Sequence, residues 1–158
     1  MSWNQQENAP SPGTQICSLK DLANGKGKGF TFGDEGFPFS IFVVRKDELV
    51  RAFVNECPHT GVQLNWSPDD FTSEDGSLII CSTHGALFEL ENGYCSFGPC
   101  IGENLEQIPL EINGDEVRIA ENERFASRLT TATPGKNIFE WTLAFLQSIA
   151  KPQASLFK

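Results

Sequence analysis

The sequence predicts an all-β domain, and three features carry that expectation. The stretches Phe39 to Arg45 and Leu49 to Asn55 are rich in Val, Ile and Phe and are separated by Lys46-Asp47-Glu48, which reads as two strands joined by a charged turn. Leu110 to Ile112 and Glu116 to Ile119 repeat the arrangement around Asn113-Gly114, a dipeptide that accepts the positive φ of a tight hairpin turn. Between the two hairpins, Ser77 to Cys81 and Ala86 to Leu90 are further short apolar runs of strand length.

The remaining segments follow in chain order. Residues 1–13 are polar and proline-bearing and are expected to form a flexible, loosely attached N-terminus. The β domain is expected over 14–120, with the acidic, turn-rich stretch Ser67 to Gly76 as a surface loop. After Ala120 the composition shifts, and 121–158 reads as an extension carrying a helix at about 137–150. Asn137 is its N-cap, Glu140 completes a capping box, and Lys151-Pro152 supply a basic end and a stop. Ile138, Trp141, Phe145 and Ile149 share one face of that helix, and Phe139, Leu143 and Leu146 broaden it. Such a face docks on the protein's own β domain or, alternatively, on a partner or a second copy of the chain.

At 158 residues the chain suits one domain with an ordinary core. Twelve basic against twenty-one acidic residues give a net charge of −9, which opposes binding to nucleic-acid phosphates or to anionic membranes. The first residues have neither a basic start nor an apolar run, so the expectation is a cytoplasmic protein without a secretory signal. No run approaches the roughly eighteen apolar residues of a membrane span.

The chemistry is concentrated in two short motifs, Cys57-Pro58-His59 and Cys81-Ser82-Thr83-His84, which contain the only two histidines in the chain. Thiolates are soft, strongly donating ligands that hold ferric iron, and imidazoles are neutral donors of borderline softness. A tetrahedral structural zinc would accept the same four residues, but zinc fingers usually pair cysteine with cysteine and histidine with histidine on separate turns. Here each pair is mixed. Three cysteines stand outside the motifs. Cys17, Cys95 and Cys100 read as free thiols buried like small hydrophobes, although Cys95 and Cys100 flank a turn and are able to pair under oxidation.

With its neighbours, this ligand set resembles the Rieske family of [2Fe-2S] proteins over about Gln15 to Ala120. Cys57-Pro58-His59-Thr60-Gly61-Val62-Gln63-Leu64 is similar to the first cluster-binding loop, and Cys81-Ser82-Thr83-His84-Gly85-Ala86-Leu87-Phe88 to the second. Gly93, Phe97-Gly98-Pro99 and Leu105 are similar to the third stretch, whose proline loop covers the cluster. The resemblance implies an antiparallel β-sandwich with a small cluster-binding subdomain. It also implies one [2Fe-2S] cluster, held at one iron by Cys57 and Cys81 and at the other by His59 and His84. Gly61, Leu64, Gly85, Ala86, Phe88, Gly98 and Pro99 would then surround it, with Gly85 where backbone must approach the cluster closely.

With neutral histidines the oxidised cluster and its ligands sum to zero charge, against −2 for four thiolates. Histidine ligation therefore raises the potential to about −150 to +300 mV, from about −400 mV in the all-cysteine plant type. High-potential members tie the loops with a disulfide and supply a serine and a tyrosine to the cluster sulfurs. The matching positions here are Val62, Thr83, Ala86 and Phe88, and fewer donors imply a lower potential. Ring-hydroxylating oxygenase subunits typically carry Trp after the His-Gly, where this chain has Ala86, and a second domain with mononuclear iron, for which the chain is short. The resemblance thus implies a low-potential ferredoxin that carries single electrons from a reductase to an oxygenase or other redox enzyme, without substrate chemistry of its own. A regulatory or assembly subunit like the small subunit of nitrite reductase, and a structural zinc module, are the alternatives.

Overall fold

The computed structural model describes residues 2–34 and 36–121. The helix expected at about 137–150, and the self-association expected of it, lie outside the described residues. Within them the regular structure is strand, apart from two short 3-10 turns. The strands are β1 (Gln15–Ser18), β2 (Lys26–Phe32), β3 (Phe39–Lys46), β4 (Leu49–Val54), β5 (Leu78–Cys81), β6 (Ala86–Glu89), β7 (Cys95–Phe97), β8 (Gln107–Ile108), β9 (Leu110–Asn113) and β10 (Glu116–Ile119).

They form three antiparallel sheets in the orders β1-β10-β9, β2-β3-β4-β8 and β5-β6-β7. Side chains alternate between the faces of a strand, and β3 uses both faces. Phe39, Ile41 and Val43 enter one core with Val50, Ala52 and Val54 of β4 and with Leu110, Val117 and Ile119. Phe42 and Val44 enter a second core with Phe53, Ile79 and Phe88. The central sheet is thus apolar on both sides, which is why Phe39 to Arg45 reads as a continuous hydrophobic run. The second core also contains Cys57 and Cys81, so the same packing that stabilises the sheets fixes the start of each ligand loop.

Three differences from the sequence reading have physical causes. The N-terminal segment is packed: Trp3 is buried in the first core, its backbone N–H donates to Glu106, and Gly13 N–H donates to the Ile119 carbonyl. A single large aromatic offsets the polar composition around it.

Strand β2 has no hydrophobic run to announce it, because Gly27 and Gly29 occupy positions where other strands carry branched residues. The reason lies in the 67–76 segment. Phe71 is buried, stacks on Phe42 with ring centroids 4.4 Å apart, and lies so close to β2 that a Cβ on Gly27 would meet it at 2.7 Å. The acidic part of the loop does lie at the surface, but the loop is fastened across the sheet. Gly29 N–H donates to Asp69 Oδ1, Thr72 Oγ1 to the Gly25 carbonyl, and Ile80 N–H to the Phe71 carbonyl.

Finally, the sheet that holds β5 and β6 has a third strand, β7, which the sequence reading did not include. That strand carries no long apolar run.

Candidate metal centre

Both ligand loops are built on one local plan. Cys57 follows the end of β4 and Cys81 ends β5, so each sulfur starts from a buried backbone. Four residues further on stand Gly61 and Gly85, with φ of +72° and +69°, and each donates its N–H to the carbonyl of its cysteine. The result is one tight i→i+4 turn in each loop. Residues two and three positions after a cysteine stand at the crest of such a turn, and His59 and His84 are accordingly exposed while Cys57 and Cys81 are buried. A side chain on Gly85 would meet no protein atom within 4 Å, so within the chain it is the positive φ that calls for glycine. Close approach of one backbone segment to another occurs at Gly98, where an added Cβ would lie 2.8 Å from Ala86 Cα.

The fold re-sorts the four candidate ligands. Along the chain each cysteine is paired with a histidine, but in space Cys57 and Cys81 are neighbours in one buried core, and the His59 and His84 rings meet edge to face at 4.9 Å. Burial pushes the Cys57 thiol up, and the neighbouring Cys81 pushes it the same way. The nearby backbone N–H groups of His59 and Thr60 act in the opposite direction.

The return leg of the first loop is held by a residue that the sequence did not single out. Asn55, at the end of β4, is a buried polar side chain. Its Oδ1 accepts from Leu64 N–H at 2.9 Å, and its Nδ2 donates to Asn65 Oδ1 at 2.9 Å and to Ser40 Oγ at 3.2 Å. Leu64, fully buried, in turn accepts from Ser82 N–H at 2.7 Å, joining the first loop to the second. The only hint in the sequence is an Asn directly after a β-branched strand, which is too common to be informative.

Of the other expected neighbours, Ala86 and Phe88 are buried on β6, Gly98 lies against Ala86, and Pro99 is exposed at the tip of the third stretch.

A single tetrahedral ion needs its donors gathered about one point. Among the described residues no three His, Cys, Asp or Glu side chains are placed to hold one ion. Two cysteines gathered in one core and two histidines gathered at the surface would suit a pair of metals, each taking one like pair. Soft sulfur donors in the core and imidazoles at the surface would fit an asymmetric [2Fe-2S] group.

The fold and this donor set define a β protein with a binuclear iron–sulfur site. Residues 14–113 match the Rieske [2Fe-2S] domain, and the chain belongs to that family. Solved structures share the fold. One is the ferredoxin of carbazole 1,9a-dioxygenase from Nocardioides aromaticivorans IC177, with a TM-score of 0.54 and 24% identity over 71% of this chain and 100% of that one. Another is the Sphingomonas yanoikuyae B1 ferredoxin, with a TM-score of 0.53 and 23% identity over 70% of this chain and 99% of that one. A chain in the reduced complex between oxygenase and ferredoxin in carbazole 1,9a-dioxygenase matches with a TM-score of 0.57 and 22% identity, over 69% of this chain but 28% of that one. No curated protein matches the sequence. Among the described residues no helix is long and apolar enough to cross a membrane.

Proposed function

We propose that the protein is a one-electron carrier that receives electrons from a reductase and delivers them to an oxygenase or a similar redox enzyme, with Cys57, Cys81, His59 and His84 as the ligands of its cluster. The observation that carries this reading is the spatial sorting of the ligands, two buried thiols under two exposed imidazoles. When bound, a [2Fe-2S] group supplies a one-electron couple at this site. The chain's own residues supply the rest. Cys57 and Cys81 hold their end in a dry core, and the exposed side chains of His59 and His84 bring the site to the surface.

The surface at this end is suited to a protein partner. Val62 and Trp66 leave the first loop and Phe97 and Ile101 flank the turn of the third, and all four are large apolar side chains in solvent, Trp66 at 75% and Ile101 at 64% exposure. Exposed aromatic and aliphatic groups beside a redox centre form a desolvating contact, and the net charge of −9 favours a partner with a basic rim. The similarity to ferredoxins described with a carbazole oxygenase supports an oxygenase as that partner.

The test begins with protein purified without air. It should be red-brown, contain about two irons and two acid-labile sulfides per chain, become paramagnetic on one-electron reduction, and discharge to an oxygenase terminal component. A folded, colourless protein holding one zinc would refute the assignment.

A further inference from the structure

The second core holds four buried cysteines, Cys57, Cys81, Cys95 and Cys100, of which only the first two are used above. The sulfurs of Cys95 and Cys100 lie 3.1 Å apart, at 0% and 5% exposure. Backbone bonds hold the two residues across their loop. Cys95 N–H donates to the Glu103 carbonyl, Gly102 N–H to the Cys95 carbonyl, and Glu103 N–H to the Cys100 carbonyl. Cys95 Sγ donates to the Phe97 carbonyl at 3.3 Å. The Cys100 thiol lies near Cys57 in the same buried core. The sulfurs of Cys95 and Cys100 touch, about 1 Å beyond the bonded distance.

We propose that Cys95 and Cys100 form an oxidisable dithiol, and that its conversion to a disulfide by a small peroxide removes the Cys100 S–H from the neighbourhood of Cys57 and lowers the reduction potential of the site. The second half rests on Cys57 being an iron ligand, as proposed above. One sulfur attacks a peroxide oxygen, the O–O bond breaks, and a sulfenic acid and one water result. The other thiol then attacks the sulfenic sulfur, the S–S bond forms, the S–O bond breaks, and a second water leaves. The thiols lose two electrons and two protons, and hydrogen peroxide takes them up as two waters. Burial, which raises the Cys100 thiol to about 12, restricts the reaction to a small oxidant and slows it relative to an exposed thiol. Contact between the sulfurs makes closure faster than further oxidation of the sulfenic acid. An S–H dipole near a ligand sulfur favours the more negative, reduced state, so its loss shifts the potential downward.

The experiment uses the iron-loaded protein and stoichiometric hydrogen peroxide, with the visible spectrum reporting cluster integrity. Cleavage after Glu91 and Glu103 frees a peptide, 92–103, whose only cysteines are Cys95 and Cys100. It should become two hydrogens lighter and resist alkylation until a phosphine reductant is added. The midpoint potential should fall in step with that mass change and return on reduction. In Cys95→Ala, peroxide should leave the potential where it began. A peptide that keeps two free thiols while the cluster bleaches would overturn the proposal, as would a disulfide formed with no change in potential. Should Cys95→Ala fail to load iron, the oxidation and reduction cycle of the unaltered protein decides the matter alone. Failure to bind iron at all would instead refute the function proposed above, while the peptide mass would still report on the thiol pair.

Discussion

His59 and His84 present their imidazoles edge to face, with ring centroids 4.9 Å apart and planes at 73°, although along the chain each is tied to a cysteine and not to the other. Two like turns, closed by Gly61 and Gly85 onto their cysteines, place both rings at one exposed end. Under the proposed assignment, this convergence would let the pair of imidazoles serve one metal while the pair of thiols serves another.

Replacing either histidine with Ala should abolish cluster retention, because the chain has no third histidine to take its place. Iron analysis and the visible spectrum of His59→Ala and His84→Ala check this. A cluster that survives in either variant would remove that histidine from the ligand set.

Asn55→Ala should destabilise the protein by about 1–3 kcal/mol, since Leu64 N–H is left buried without its acceptor. The change also frees the return leg of the first loop, so the cluster should be lost faster to a chelator than in the unaltered protein. Denaturant titration and chelator kinetics read the two effects separately.

Phe71→Ala should cost about 3–5 kcal/mol, because it removes the ring stacked on Phe42 and leaves the space made by Gly27 and Gly29 unfilled. The spectrum of the loaded protein should be unchanged at low temperature, since Phe71 is no ligand. Loss of stability as small as that of a surface substitution would show that the 67–76 segment is not fastened as described.

Trp66→Ala and Phe97→Ala should each slow electron delivery to a partner by roughly tenfold, equivalent to about 1.4 kcal/mol of docking energy. The midpoint potential should be unaltered. Stopped-flow rates with the oxygenase component, paired with voltammetry, separate a docking effect from a redox one.

Ala86→Ser should raise the potential by an amount on the order of tens of millivolts, if its hydroxyl donates to a sulfur, as a charge-assisted hydrogen bond of about 1.5–3 kcal/mol acts only through the difference between redox states. Phe88→Tyr is the harder variant, as Phe88 is fully buried and its ring edge must accept a hydroxyl in a packed core. An unchanged potential in loaded Ala86→Ser would place Ala86 away from the sulfurs.

The sequence by itself determined the two Cys-His motifs, both hairpins and the turn at Asn113-Gly114, because these depend on neighbours along the chain: β-branched runs, turn dipeptides and Cys-His spacing. The observed β3, β4, β9 and β10 lie within a residue of the runs that announced them. Tertiary structure alone decided how the ligands pair, since Cys57 meets Cys81 only when β5 and the end of β4 share a core. It alone revealed β2, whose glycines make sense only once Phe71 lies against them, and the burial of Trp3 within a polar segment. It also set the sulfurs of Cys95 and Cys100 in contact beside Cys57. The physical reason is common to all of these: local pattern reports the conformation of a short stretch, whereas contacts between distant stretches depend on which sheets stack and which faces they bury.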